Sequence, residues 1–224
     1  MGRLSGLAWR RLAAGLPAML GTALLAVLVA LGGAVERGHA AQVEAGPSFD
    51  CAAAVSDAER AVCASAALAD LDRRLATRYA DALDVAGGLD AGAEAALAEL
   101  RATQRGWVKG RDDCWKAEDL EACVADAYSR RIGALVALYM LETPAAVTTW
   151  QCGESPANEL VVHHFDLERP AVRLERGDSI EVGVQVPAAS GARYEASFGV
   201  SLWTRGDEAR LEWPEGTVAT CRRR

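Results

Sequence analysis

Residues 187–213 read PAASGARYEASFGVSLWTRGDEARLEW, and this stretch decides the fold of the C-terminal part of the chain. The pair Ser190-Gly191 is a turn signal that follows apolar residues alternating over 180–186. A second tight turn, Arg-Gly-Asp, occupies residues 205–207, and its glycine is free to adopt a positive φ. Aromatic and aliphatic residues of β-prone type follow Ser190-Gly191. The pattern predicts two reversals that lift the polar side chains of Ser190 and Arg205 off the ends of strands.

Short alternating segments continue on both sides of this stretch, from Trp150 to the end of the chain. Seven or so strands are predicted, at Leu160–Phe165, Val172–Leu174, Ser179–Val186, Tyr194–Phe198, Val200–Trp203, Glu208–Trp213 and Val218–Thr220. This number of strands in about 75 residues favours closure over a flat sheet, because closure removes unpaired edges. We therefore expect residues 150–224 to form a small antiparallel β-barrel.

The preceding segment has helical spacing, with apolar residues recurring at steps of three and four. Three helices are predicted around residues 68–82, 97–111 and 128–139, with a break at Gly87-Gly88 and Asp90 as a cap of the second. Such a segment buries little core alone, so we expect a small helical bundle stapled by disulfides over residues 48–140. Residues 141–149, which include Pro144, are expected to link the two domains.

Six cysteines follow the N-terminal segment: Cys51, Cys63, Cys114, Cys123, Cys152 and Cys221. An even number in an exported protein indicates disulfides, and bridging Cys152 to Cys221 would tie the first strand of the barrel to the last. A loop of that length should contribute about 4 kcal/mol in the chain-entropy model. Three pairings are open for the other four cysteines, and we favour Cys51–Cys63 and Cys114–Cys123 because each pair is close in sequence. There is no Cys-x-x-Cys and only three His, so neither a metal nor another cofactor is expected.

Residues 1–41 have the layout of a secretory signal peptide. Arginines at positions 3, 10 and 11 precede an uncharged stretch, 12–35, and Ala40 and Ala41 offer cleavage positions. An uncleaved anchor is the alternative, because about 24 mostly apolar residues could span a bilayer. We expect a periplasmic or secreted protein that meets a membrane only through this segment, if it is not cleaved.

The charge of the chain favours a basic partner. Its formal net charge is −7, and removal of residues 1–41 leaves 20 basic and 30 acidic residues, a net charge of −10. Such a surface argues against nucleic acid or anionic lipid and suits a basic protein, although solubility alone also explains it.

The two turn segments resemble the inhibitors of C-type lysozyme, the MliC/PliC family of bacterial periplasmic proteins. The family's marks are a Ser-Gly-x-x-Tyr loop and a Trp-x-Lys-Gly-x-x-Ala segment. Here they occur as residues 190–194, Ser-Gly-Ala-Arg-Tyr, and residues 203–209, Trp-Thr-Arg-Gly-Asp-Glu-Ala. Arg205 stands where the family usually carries Lys.

This resemblance implies a set of lysozyme-binding residues: Ser190, Gly191, Tyr194, Trp203, Arg205 and Gly206. It places Ser190 against the catalytic Glu of lysozyme and Arg205 against the catalytic Asp. Tyr194 and Trp203 would then hold the loops rigid, which lowers the entropic cost of binding. Without the resemblance, both segments would be interpreted as plain solvated turns.

The helical segment resembles the N-terminal domain of the LprI family of mycobacterial lipoproteins, which is associated with lysozyme inhibition. The matching residues are Phe49-Asp50-Cys51, Glu59-x-x-x-Cys63, Leu71-Asp72, Gln104-x-x-Trp107, Arg111-Asp112-x-Cys114, Cys123 and Tyr128-x-x-Arg131-Ile132. The resemblance covers about residues 48 to 140 and bears more on fold than on activity.

Two catalytic interpretations are weaker than the binding one. Polar residues of the helical segment could converge in a cleft (Glu59, Asp72, Gln104, Arg111 and Arg131), but hydrolysis needs paired carboxyl groups at a set distance. We expect a salt-bridged bundle interior instead, because buried charges must be paired. Ser190 is disfavoured as a nucleophile, since His163 and His164 are adjacent on a strand and point to opposite faces.

The sequence therefore predicts an exported, non-catalytic inhibitor of C-type lysozyme that plugs the enzyme's cleft with the Ser190 and Arg205 loops. The alternative is a non-catalytic module of the cell envelope that binds peptidoglycan or a protein. Near-stoichiometric inhibition of lysozyme, without retention on purified cell wall, would separate the first function from the second.

Overall fold

Four α-helices form the N-terminal part of the described chain. They are α1 (Asp57–Ala64), α2 (Ala66–Gly87), α3 (Ala93–Asp112) and α4 (Leu120–Tyr139), with short 3-10 turns at Cys51–Ala53 and Asp113–Lys116. The structure is a computed structural model that describes residues 46–213 and 217–224. The expected signal peptide at 1–41 lies outside these residues. In the part that is described, no helix combines the length and the hydropathy needed to cross a membrane.

Helix α1 is an addition to the three predicted helices. It has eight residues, too few for a clear periodic signal, but its start carries a capping box between Ser56 and Glu59. The predicted cap at Asp90 is wrong. Helix α3 begins later, at Ala93, after Gly92 in a left-handed conformation that provides no side-chain cap.

The disulfides of the bundle join the favoured pairs. Cys51–Cys63 ties the first 3-10 turn to α1, and Cys114–Cys123 ties the second 3-10 turn to α4. Each bridge therefore fixes a short irregular segment to a helix.

The C-terminal part is a closed antiparallel barrel of eight strands, each paired with its sequence neighbour and the last paired with the first. The strands are β1 (Ala146–Cys152), β2 (Glu159–Phe165), β3 (Ala171–Arg176), β4 (Ser179–Val186), β5 (Ala192–Glu195), β6 (Ser201–Arg205), β7 (Glu208–Trp213) and β8 (Thr217–Arg223). Cys152 of β1 lies opposite Cys221 of β8, and the disulfide between them joins the closing strands. The predicted fold class, a disulfide-stapled helical bundle followed by an antiparallel barrel, is thus confirmed.

Most strands lie within a few residues of the prediction, and the two main differences are β1, which was not among the predicted strands, and β5. Strand β1 begins at Ala146, so it includes the last four residues of the range expected as linker. Strand β5 ends at Glu195 and does not reach Phe198. Phe198 has φ 55° and Gly199 has φ 78°, and both conformations lie outside the β region. Ala196 N donates to Val200 O across this turn, so the chain already reverses at residues predicted to lie in the strand Tyr194–Phe198.

Helix α4 packs directly against the barrel. Phe165 and Ala171 of the barrel are buried in one apolar cluster with the core of the helices. A Cβ on Gly133 of α4 would lie 3.3 Å from the Cβ of Ala171 and 3.7 Å from Val184 Cγ2. Glycine is needed here because helix and sheet approach so closely. Arg173 also donates to the carbonyl oxygen of Leu138 at 2.6 Å. The helices and the barrel therefore share an interface that includes backbone contacts.

Candidate functional site

The Ser190 loop (residues 187–191) and the Arg205 turn (residues 205–207) lie side by side at one end of the barrel. Strands β5 and β6 bring them together, since Ala192 pairs with Thr204 directly beside both reversals. Gly191 has φ 68°, and a Cβ at this position would lie 2.0 Å from the carbonyl oxygen of Thr204. The two reversals are thus in backbone contact, and only glycine fits at the point of contact.

Trp203 connects the barrel wall to the Ser190 loop. Its indole Nε1 donates a hydrogen bond to the carbonyl oxygen of Ser190 at 2.8 Å. The side chain is still 39 % exposed, and it lies on β6 between Arg193 of β5 and Arg210 of β7. Trp203 therefore presents an exposed aromatic face while it holds the loop in place.

Tyr194 lies inside the barrel and does not reach the surface. It is 7 % exposed and belongs to the apolar cluster of the barrel interior. Its ring is in edge contact with that of His164, with centroids 6.3 Å apart. Burial raises the pKa of its hydroxyl. Tyr194 can thus affect the loop through the packing of β5, but not by touching a partner at this surface.

Arg205 differs from the neighbouring arginines in having no counter-ion. Arg193 is paired with Glu195 at 3.2 Å, and Arg210 is paired with Glu212 at 3.1 Å. The exposed guanidinium of Arg205 has no hydrogen bond or ion pair with any residue of 46–213 or 217–224. A permanent cation with an unsatisfied fork of donors is suited to bind a carboxylate from outside the chain.

The hydroxyl of Ser190 also has no hydrogen-bond partner among the described residues. Its Oγ makes no hydrogen bond within the described chain, although its backbone carbonyl accepts from Trp203. The turn at Arg205 is supported separately, because Gly206 has φ 61° and Arg223 N donates to Asp207 O at 2.9 Å. Two rigidly supported reversals therefore offer one neutral hydroxyl and one cation, both without partners in the described residues.

The polar residues of the bundle form a buried network that has a structural explanation. The hydroxyl of Tyr128 accepts from Arg111 Nη1 at 3.0 Å and donates to Asp72 Oδ1 at 2.8 Å. Arg111 is also paired with Asp112 at 2.7 Å and with Glu59 at 3.6 Å. Tyr128 is fully buried, and Asp72 and Arg111 are 7 % and 5 % exposed. Buried charges are thus neutralised by each other, as expected for a bundle interior.

The surroundings of Glu59 favour the ionised form of its carboxyl. Backbone N–H groups of Val55 and Ser56, followed by the charge of Arg111, hold the pKa of its carboxyl below the ordinary value despite some burial. A general acid needs the opposite shift. Gln104 and Arg131 form a separate pair, in which Arg131 Nε donates to Gln104 Oε1 at 2.9 Å. The five polar residues considered for a cleft therefore divide into two groups. One is the network of Glu59, Asp72 and Arg111, and the other is the pair of Gln104 and Arg131.

The adjacent histidines point to different surroundings, as the strand alternation predicts. His164 Nε2 lies 2.9 Å from Thr148 Oγ1, which also accepts from Trp150 Nε1 at 2.9 Å. His163 Nε2 lies 3.5 Å from Glu175 Oε2. Neither histidine has a contact with Ser190 within the described residues. Among those residues, no group of three or more His, Cys, Asp or Glu is arranged to hold a metal ion.

Sequence reasoning missed two contributors to this site. One is the carbonyl of Thr204, which fixes the requirement for glycine at position 191. The other is the β2–β3 loop (residues 166–170), whose Pro170 carbonyl accepts from Gln185 N at the base of the Ser190 loop. Neither has a local signal, because both depend on the register in which neighbouring strands pair.

Comparisons with known proteins support both resemblances. Residues 51–150 match the family model for the lysozyme inhibitor LprI, and residues 150–219 match that for the membrane-bound lysozyme inhibitor of c-type lysozyme, MliC. Lipoprotein LprI of Mycobacterium tuberculosis strain H37Rv and that of Mycobacterium bovis are each 32 % identical to this chain over 180 residues. Each alignment covers 80 % of this chain and 85 % of the relative. The chain therefore belongs to the LprI lipoprotein family, with an LprI domain followed by an MliC domain.

Proposed function

We propose that this protein is an exported inhibitor of C-type lysozyme, and that the Ser190 loop and the Arg205 turn enter the enzyme's cleft. One observation carries the proposal. The two reversals are in backbone contact at Gly191, and they present a hydroxyl and a guanidinium that have no partners in the described chain. The membership of both domains in lysozyme-inhibitor families supports lysozyme as the target.

The chemistry of the cleft matches these two groups. A lysozyme cleft holds two carboxyl groups, one protonated and one ionised. A hydroxyl can donate to or accept from the protonated carboxyl, so Ser190 is the partner for the catalytic Glu. A guanidinium binds an ionised carboxylate through parallel N–H donors, so Arg205 is the partner for the catalytic Asp.

The arginine in place of the usual lysine changes the fit of this contact. A guanidinium is planar and wider than an ammonium, so it needs more room at the floor of the cleft. Arg205 is the last residue of β6 and pairs with Glu208, so its exposed side chain lies at the end of the hairpin. We infer that Arg205 retains the ionic contact and alters which lysozymes are bound most tightly.

Preorganisation should give the loops much of their affinity. The hydrogen bond of Trp203 to the Ser190 carbonyl and the close approach of Gly191 to Thr204 hold the loop before binding. A loop that is already ordered has less conformational entropy to lose in the complex. The net charge of −10 for residues 42–224 would also speed the approach of a basic enzyme.

Export is supported by three disulfides and by the lipoprotein relatives. All six cysteines are paired, and such bridges persist in oxidising compartments outside the cytosol. We propose that the protein acts without catalysis in the periplasm or outside the cell, where it protects peptidoglycan from lysozyme.

Lysis of a cell-wall suspension by a C-type lysozyme tests this function. The oxidised chain 42–224 should inhibit at near-stoichiometric amounts, and the variant Ser190→Ala/Arg205→Ala should lose most of that inhibition. Retention of the protein on purified cell wall, together with a lack of inhibition, would favour an envelope-binding module instead. Equal inhibition by both proteins would refute the role of the two loops.

A further inference from the structure

The β2–β3 loop (residues 166–170) is bonded to the base of the Ser190 loop. Gln185 N donates to Pro170 O at 2.8 Å, and Arg169 Nη1 makes a longer hydrogen bond, 3.5 Å, to Gln185 O. Beyond Gln185 the chain passes through Val186 into the Ser190 loop, whose residues 187–189 are exposed. A groove lies between the two loops, with Arg169 and Pro170 on one side and Pro187 and Gly191 on the other. The β2–β3 loop is thus the nearest support on the side of the Ser190 loop that faces away from Trp203.

The helices also contact the β2–β3 loop. Arg169 Nη2 forms an ion pair with Asp126 of α4. Glu168 accepts from Arg74 of α2 at 2.8 Å, and Leu167 packs against the apolar cluster of the bundle. Three successive residues of this loop are therefore in contact with the helical domain.

Asp126 holds Arg169 in a defined orientation. Its second oxygen accepts from Arg130 Nε at 2.6 Å, so the carboxylate bridges two guanidiniums. Gly133 lies two turns further along α4, and a Cβ added there would be 3.7 Å from the carbonyl oxygen of Arg169. The helix therefore binds the side chain of Arg169 through Asp126 and passes close to its backbone at Gly133.

We infer that Arg169 is a positioning residue for the inhibitory loop, and that the helical domain fixes the Ser190 loop through it. This inference rests on the proposed function. The contacts that connect them run from Asp126 of α4 to the guanidinium of Arg169, and from Arg169 and Pro170 to the backbone of Gln185. Trp203 holds one side of the Ser190 loop, and the helical domain holds the other.

This arrangement assigns a role to the helical domain in inhibition. A loop fixed on both sides loses less entropy on entering the cleft than one fixed on a single side. The helices then contribute to affinity without touching the enzyme. The ion pair of Arg169 with Asp126 is partly exposed to solvent, so its contribution to stability is reduced by screening, and the loss of Arg169 should affect the loop more than the global stability.

The test uses the oxidised chain 42–224 and its variants Arg169→Ala and Asp126→Asn. Each variant should raise the inhibition constant for a C-type lysozyme about 3- to 10-fold, with a nearly unchanged melting temperature. Arg60→Ala is the control. Arg60 is an exposed arginine of α1 that is paired with Asp57, and within the described residues it has no hydrogen bond to the β2–β3 loop, so the inhibition constant of this variant should equal that of the wild type.

A mutant cycle separates positioning from general stabilisation. If Arg169 acts through the Ser190 loop, Arg169→Ala should have a much smaller effect in a Ser190→Ala background. Amide hydrogen exchange should also become faster over residues 187–194 in Arg169→Ala, and not in the helices. The inference is overturned if the two effects are additive, if inhibition is unchanged, or if the exchange of residues 187–194 does not change.

The same data distinguish this inference from the proposed function. A wild-type chain that does not inhibit contradicts the proposed function, and the exchange measurement still shows whether Arg169 orders the loop. Inhibition that depends on Ser190 and Arg205 but not on Arg169 supports the proposed function and refutes the positioning role.

Discussion

Trp203 Nε1 donates a hydrogen bond to the carbonyl oxygen of Ser190 at 2.8 Å, and this contact joins the wall of the barrel to the candidate inhibitory loop. The two residues are thirteen positions apart in sequence, with Ser190 in the loop between β4 and β5 and Trp203 on β6. Removing the donor should loosen the loop while the strand pairing of β6 persists.

We predict that Trp203→Phe weakens lysozyme inhibition about 3- to 10-fold, since it removes one hydrogen bond worth roughly 1 kcal/mol and retains an aromatic ring. Titration of lysozyme lysis with the variant measures this. Trp115→Phe is the control, because Trp115 is an exposed tryptophan of the helical part. An equal loss in both variants would contradict the contact's role.

Gly191→Ala should abolish most of the inhibition and lower the stability. The new Cβ would be 2.0 Å from the Thr204 carbonyl oxygen, so the two reversals must separate. Crowding of this kind lowers the free energy of unfolding by about 1–3 kcal/mol, and the strain of a positive φ lowers it further. Inhibition assays and thermal unfolding measure the two effects.

Gly153→Ala is the matched control for this change. Gly153 has φ 75°, but its added Cβ meets no atom within 4 Å. It lies in the β1–β2 connection, at the other end of the strands. This variant should therefore carry the conformational strain alone and inhibit normally. If Gly191→Ala inhibits as well as Gly153→Ala, contact between the loops is not required.

Arg205→Ala should raise the inhibition constant about 30-fold or more, because loss of a desolvated charge at an interface costs about 2–5 kcal/mol. Arg205→Lys, which restores the residue usual in the family, should recover most of the affinity. Arg210→Ala serves for comparison, since the guanidinium of Arg210 is already paired with Glu212. An inhibition constant unchanged by Arg205→Ala would rule out its contact with a carboxylate.

Tyr128→Phe should destabilise the bundle by about 1–3 kcal/mol without reducing the inhibition by the folded protein. The change leaves buried Asp72 without its Tyr128 donor and Arg111 without its Tyr128 acceptor. Chemical unfolding measures the stability, and Tyr139→Phe, at a half-buried tyrosine, is the comparison. Any loss of activity that exceeds the unfolded fraction would indicate a functional role for this network.

His164 should make the protein less stable in mild acid. Burial, followed by the charges of Arg223 and His163, lowers its pKa from the ordinary 6.5. Because the unfolded state then binds the proton more readily than the folded state, the contribution of His164 is present above pH 6.5 and is lost as pH falls towards the folded-state pKa.

Thermal unfolding between pH 8 and pH 5 measures this contribution. His164→Gln should show a smaller decrease in melting temperature below pH 6.5 than the wild type. Between pH 7.5 and pH 8.5, where the imidazole is neutral in both states, the two curves should be parallel. Equal decreases below pH 6.5 would assign the acid sensitivity to other groups.

Local features of the sequence determined much of this architecture. Alternation over 179–186 and 208–213 predicted β4 and β7 with their observed bounds, because a strand that is buried on one face repeats with period two. Proximity in sequence also favoured the Cys51–Cys63 and Cys114–Cys123 bridges. Helix α1 escaped prediction because eight residues contain only two turns of periodic signal.

The tertiary structure decided how the candidate site is assembled. The contact of Gly191 with Thr204 and the bond of Trp203 to Ser190 depend on the register of β5 and β6, and a single-residue shift would reverse every side chain. The separation of the Arg111 network from the Gln104–Arg131 pair depends on helix packing, and the link from Asp126 to Arg169 depends on how α4 meets the barrel. Turns, caps and bridges could be predicted because they are short-range properties of the chain. Which of these residues meet could not be predicted, because the contacts depend on strand register and on the packing of α4 against the barrel.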